Sequence, residues 1–357
     1  MMKTGPPADA LLLQVEVPIE NQSFSLKRIR GNYMKKRINV TTIGGGSGQF
    51  ALLSGLKNLE GIRIKAIVSM VDSGGSTGRL RDELGALPPG DILKCILALS
   101  PHKPAVRSIL QKRFEKDRRL KGHNAGNMLL TMLSRYTGSF PAGVQALAEI
   151  LEARGTILPV TINRATLVAE LTDGSRIYGE SAIDMPRGNQ REKIKDVFLV
   201  PHHSDTIAIY KPVLKAIKTA DYIIMGPGDL YTSIVPNLIV PGLSEALMNT
   251  SATLIYIVNI MTKYGETNNY KADDFVSTLE TFTHRTINTV VLNSKKPAEN
   301  LLEQYRLQKS EFVNPDDTLS SKKINYIFAD LLDPSEKIVR HDPAKLADVI
   351  RKIISKI

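Results

Sequence analysis

Three glycine-rich loops in this chain each follow a β-branched apolar run, and that recurrence sharply limits what it can fold into. The run 38–43 leads into Gly44-Gly45-Gly46-Ser47-Gly48, and the run 64–71 leads into Asp72-Ser73-Gly74-Gly75-Ser76-Thr77-Gly78-Arg79. The run 222–225 leads into Gly226-Pro227-Gly228-Asp229. After the first loop, residues 50–56 carry helical apolar spacing, so strand, loop, helix and strand form a βαβ unit. The alternation continues with helices expected near 212–219, 240–249, 271–283 and 343–356. Strands are expected at 222–225, 253–259, 288–292 and 324–329. This is an α/β, Rossmann-like, doubly wound pattern with a mainly parallel sheet, in which ligands bind outside the carboxyl ends of the strands.

One stretch breaks the pattern. Residues 166–171 and 175–179 flank Thr172-Asp173-Gly174, and Asp-Gly between alternating runs signals a hairpin. A small β insertion is therefore expected at about 157–185. Residues 1–37, with Pro6-Pro7 and a basic end, are expected to be a leader, partly disordered or packed as an edge, before a single domain at 38–357.

Bulk properties remove several function classes. The lone cysteine, Cys95, allows neither an internal disulfide nor a cysteine-based zinc site. No run of eighteen apolar residues exists for a membrane span, and 10–13 is too short for a signal peptide, so a cytoplasmic protein is expected. The net charge of +11 is spread along the chain without a nucleic-acid-binding motif. An anionic ligand and a generally basic surface account for it better than nucleic acid does.

Gly46-Ser47-Gly48-Gln49-Phe50-Ala51 fits G-x-G-x-x-A between a strand and a helix, with Asp72 standing 24 residues after Gly48. That is roughly where a dinucleotide fold keeps its ribose-binding acid. No P-loop motif or G-x-S-x-G elbow occurs. In the second loop Gly74, Gly75 and Gly78 let backbone approach a ligand, Ser76 and Thr77 add hydroxyls, and Arg79 and Arg81 add positive charge. Asp72 is suited to ribose, to catalysis, or to a divalent metal such as magnesium beside a diphosphate. Asp91 and the Gly122-His123-Asn124-Ala125-Gly126-Asn127 segment open further helices. Asp91, Asn124 and Asn127 read as ligand contacts or caps, and His123 as a general acid or base or a structural residue. The His202-His203-x-Asp205 cluster is a weak metal signal.

Taken in order, 44–48, 72–79, 88–91, 122–127, 226–233 with Pro236-Asn237, and Met261-Thr262 followed by Gly265-Glu266-Thr267 resemble the YvcK/CofD family over about 38–293. The resemblance implies a Rossmann-like fold. Its YvcK branch, favoured by the 230–233 and 259–267 segments, implies a cytoplasmic protein binding UDP-sugars, notably UDP-N-acetylglucosamine. That branch serves cell shape and envelope synthesis during growth on gluconeogenic carbon. The CofD branch implies magnesium-dependent transfer of 2-phospholactate from a guanosine diphosphate-linked donor to a deazaflavin. Carried over, the phosphate-binding positions are Gly45, Gly46, Ser47, Gly48, Gly74, Gly75, Ser76 and Arg79. Asn124, Asn127, Gly228, Tyr231, Thr232 and Asn237 complete the implied pocket. Binding needs no cofactor on this reading, and a homo-oligomer is compatible with it. The chain departs from the family pattern at Ser73, where a second acid is common, at Tyr264, where proline is common, and at Asp229, where serine is usual.

Overall fold

The computed structural model describes residues 37–84, 87–102, 104–116, 120–186, 191–202, 206–315, 323–335 and 337–355. The expected leader, apart from Arg37, lies outside them, as do the side chain of Arg81 and residues His203 and Asp205.

Strands rich in Val and Ile and buried along most of their length suit a sheet covered on both faces, and such strands build its centre. Its strands are β1 (Ile38–Gly44), β2 (Ile62–Val68), β3 (Thr156–Pro159), β7 (Tyr222–Met225), β8 (Thr253–Ile257), β9 (Thr289–Asn293) and β10 (Asn325–Ala329). They lie in the order β10-β9-β8-β7-β1-β2-β3, and every pairing is parallel. Helix α1 (Gly46–Leu56) carries the chain from β1 to β2 on one side, whereas β7 pairs with β1 on the other. β1 is therefore the topological switch point, and the crevice outside its carboxyl end is where such a sheet takes a ligand.

Helices α2 (Gly75–Leu84), α3 (Gly90–Leu99), α4 (Pro104–Gln111), α5 (Ala125–Tyr136) and α6 (Phe140–Ile150) fill the long connection from β2 to β3. A polar plug locks the first unit. Buried Gln49 on α1 donates from Nε2 to Thr42 Oγ1 on β1 (3.1 Å) and to the Ile67 carbonyl on β2 (3.0 Å). Its Oε1 faces the Cys95 thiol on α3, whose pKa burial raises well above the ordinary range.

Two boundaries differ from the sequence reading. Residues 157–159 belong to the main sheet as edge strand β3, where a terminal proline costs no ladder bond. The insertion is also larger than a hairpin. β4 (Ala165–Leu171) and β5 (Arg176–Tyr178) are joined by a third antiparallel strand, β6 (Ile194–Pro201), on the far side of β4. Charges at Lys195 and Asp196 break the apolar alternation of β6, so pairing with β4 rather than local pattern defines it. Between β5 and β6 sits a short helix, α7 (Glu180–Asp184).

Candidate functional site

A cavity of about 450 Å³ opens at the carboxyl end of β1. Its floor is the entry to α1. Gly45 is the extended N-cap residue and offers no side-chain cap, and the first turn holds no acid. The first amides of a helix lack intrahelical partners and sit at the positive end of its dipole. Gly46, Ser47 and Gly48 line the cavity there, in an arrangement that suits phosphate.

Close packing explains the glycines individually. A Cβ on Gly48 would come 2.2 Å from the Pro227 carbonyl oxygen, and one on Gly45 would come 2.7 Å from Asp91 Oδ2. The first and third loops thus touch through bare backbone. Asn259, beyond β8, holds the third loop by accepting the Gly228 N–H at 3.0 Å.

Carboxylates make up much of the remaining lining: Asp72, Glu180, Asp184 and Asp229, together with Asp91, which lies against Gly45. Asp72 accepts the Gly74 N–H at 2.9 Å, and burial followed by its neighbour Asp91 raises its pKa. Lys94 pairs with Asp91 at 2.9 Å, and that carboxylate pushes the ammonium up to about 12. Glu180 is driven to about 7 by burial, with Asp72 and Asp184 adding to it. Lys263 bridges Asp184 of α7, Asp229 at 2.7 Å and Glu266 at 3.1 Å. Burial works against that ammonium, but the three carboxylates outweigh it and raise its pKa. Burial also raises the pKa of Glu266, the acid furthest from solvent.

The remaining wall comes from the C-terminal part: Tyr305, Gln308, Ser310, Arg340 and His341. Tyr305 Oη accepts the Val339 N–H at 3.2 Å, fixing the segment that carries Arg340. Burial lowers the pKa of His341 to about 4, so it faces the cavity uncharged near neutrality.

Of the residues singled out from sequence, Gly45, Gly46, Ser47, Gly48, Asp72, Asp91 and Gly228 line this cavity. Gly74, Gly75, Ser76, Thr77, Arg79, His123, Asn124 and Asn127 do not; they form an adjoining cluster where α2 and α5 begin. Ser76 Oγ lies 3.1 Å from His123 Nδ1, and Asn127 Nδ2 reaches Thr77 Oγ1 at 3.4 Å. Asn124 caps α5 through the Asn127 N–H at 2.7 Å, and Arg79 donates to the Lys121 carbonyl.

Tyr231, Thr232 and Asn237, expected to face the ligand, point into the protein. Tyr231 Oη meets Tyr270 Oη at 3.0 Å, and its ring packs edge-on against Phe282. Thr232 donates to Glu266, while Asn237 Nδ2 donates to the carbonyls of Gly44 (3.1 Å) and Ser233 (2.9 Å). Tyr231 and Thr232 sit on a π-helical turn at Leu230–Ile234, and Asn237 on the short helix that follows it. His202 Nε2 is engaged with Thr166 Oγ1 at 2.7 Å on the insertion.

Sequence reasoning did not single out Lys94, Glu180, Asp184, Asn259, Lys263, Tyr305, Arg340 or His341 as site residues. Lys94 left a local trace, a cation three residues after Asp91 inside an apolar helix, and Asn259 and Lys263 fall within the 259–267 segment that carries the family resemblance.

Comparison with known proteins follows the same lines. Residues 40–332 match the family model described as 2-phospho-L-lactate transferase CofD. The gluconeogenesis factor of Bacillus subtilis (strain 168) is 37% identical over 325 residues, covering 90% of this chain and 100% of its own. That of Listeria innocua serovar 6a is 36% identical over 312 residues, covering 87% of this chain and 94% of the relative. A crystal structure of a UPF0052 family member from Bacillus halodurans superposes with a TM-score of 0.81 at 36% identity, covering 88% of this chain and 99% of that one.

Proposed function

Since the chain belongs to the CofD family and aligns along most of its length with gluconeogenesis factors, we propose that it binds a nucleotide diphosphate-linked sugar of the UDP-N-acetylglucosamine type and acts as a regulator in the cytoplasm. The regulated process on this reading is envelope synthesis and cell shape during growth on gluconeogenic carbon. The observation that carries the reading is the uncapped, acid-free start of α1 opening on a cavity at the switch point of the sheet. There the diphosphate meets bare amides, while Lys94 and Arg340 supply positive charge at the edges.

The second reading is a phosphotransferase, favoured by the family model's description and by the acids around Asp72. A resident magnesium ion fits these residues poorly. Among the described residues, the three carboxylates close enough to share one ion, those of Asp184, Asp229 and Glu266, already surround the Lys263 ammonium. Beside Asp72, Asp91 is engaged by Lys94 and position 73 is serine. Divalent cations need several hard oxygen donors, so magnesium would arrive with a diphosphate rather than wait in the protein.

Isothermal titration with UDP-N-acetylglucosamine, with and without magnesium, followed by chromatography of the recovered nucleotide, separates the two. Saturable binding with intact ligand supports the regulator. Cleavage, or binding confined to guanosine diphosphate compounds, replaces it with the transferase.

A further inference from the structure

The antiparallel insertion is anchored to the ligand cavity by one residue that departs from the family pattern. Ser73 Oγ accepts the Ser181 N–H at 3.0 Å, and the Ser73 N–H donates to Glu180 Oε2 at 3.3 Å. Ser181 Oγ donates to that same oxygen at 3.2 Å. Both bonds fall on Oε2, so Oε1 has no hydrogen-bond or ion-pair partner among the described residues, although Glu180 lines the cavity. An acid at position 73 would set a second negative charge against this carboxylate; serine instead docks it.

The cavity lining offers two kinds of group. The α1 amides suit phosphate, whereas the carboxylates repel it unless a cation offsets them, and accept hydrogen bonds from neutral O–H and N–H groups. Among those acids, Asp91 is paired with Lys94, and Asp184 and Asp229 with Lys263. Glu180 and Asp72 have no such cation among the described residues, but Asp72 is held within its own loop by the Gly74 N–H, and burial raises the pKa of Glu180 to about 7.

We propose that the insertion is the specificity element of this site, and that Glu180 Oε1 accepts a hydrogen bond from the hydroxyl- or amide-bearing group attached to the ligand's diphosphate. The inference rests on the nucleotide-sugar reading of the cavity. It assigns the phosphates to the parallel sheet and the sugar to the inserted one.

The test compares UDP-N-acetylglucosamine with UDP by titration on the full-length protein. Wild type should bind both. Glu180→Gln should lose about tenfold in affinity for the sugar nucleotide, the scale of one hydrogen bond, and stay within about twofold for UDP. Glu180→Asp, which keeps the carboxyl but withdraws the oxygen by one methylene, should show the same selective loss. Equal losses for both ligands, or no loss for either, overturn the assignment while leaving the site reading intact. Failure of wild type to bind either ligand overturns the site reading itself.

Discussion

The first and second glycine loops look alike in sequence and do different work. At the first, Gly45 and Gly48 are bare because neighbouring loops press on them, and the helix behind opens on the cavity without a cap. At the second, Gly78 is bare because a Cβ would come 2.2 Å from the Ser73 carbonyl oxygen of its own loop. The hydroxyls of Ser76 and Thr77 are turned toward His123 and Asn127. The first loop opens on the cavity, whereas the second, beyond Asp72 and Ser73, turns its hydroxyls inward to hold α2 against α5. Glycine content marks where a backbone is approached closely. It does not say whether a ligand or the protein itself does the approaching.

Substitutions can break that contrast. Gly48→Ala should have the largest effect, because its methyl group meets a backbone carbonyl that cannot step aside. We expect a loss of about 100-fold in nucleotide affinity and about 2 kcal/mol of stability in denaturant titration, within the range for overpacking. An affinity unchanged from wild type would remove the phosphate from the α1 entry. Lys94→Met should come next, with about tenfold weaker binding, since it leaves Asp91 uncompensated beside Asp72. Ser76→Ala should cost about 1 kcal/mol of stability and change affinity less than threefold. A large affinity loss there, matched by Arg79→Ala, would place ligand on both loops and dissolve the distinction.

A pH-dependent effect sharpens the contrast between sheet and insertion. The folded-state pKa of Glu180 is raised to about 7, so the folded chain holds a proton that the unfolded chain has already released. Its stabilising effect is complete below the ordinary carboxylate range and is lost as pH rises toward about 7. Thermal melts of Glu180→Gln should therefore match wild type near pH 4 and lie above it at pH 8, by an increment of about 2 kcal/mol or less.

Much of this molecule was legible in its sequence, for a physical reason. Strands such as 38–43 and 222–225 are read from their own residues, and a glycine loop after a strand is a local pattern. β3 and β6 were misplaced or missed because a four-residue edge and a charge-broken strand acquire their identity from partners. The cavity divides the same way. Gly45 to Gly48 and Asp72 were found by spacing, but Glu180, Lys263 and Arg340 arrive from 108 to 268 positions beyond Asp72. Each is a single polar residue in unremarkable surroundings, and folding alone brings them together. Tyr231 and Thr232 show the opposite case: their motif was visible, while the π-helical turn that packs them against the interior was not.

The wall carrying Tyr305 and Arg340 does not share the main core. Ile260, Met261 and Leu302 form a separate small cluster, covered by Tyr305, Phe312, Leu332 and Val339. Seven side chains set the cohesion of that wall, whereas the floor is fastened to the whole parallel sheet. Regions with few buried contacts open at lower free energy than the core that supports them. The floor of the crevice is thus fastened more firmly than this wall, and the wall is the part expected to yield first.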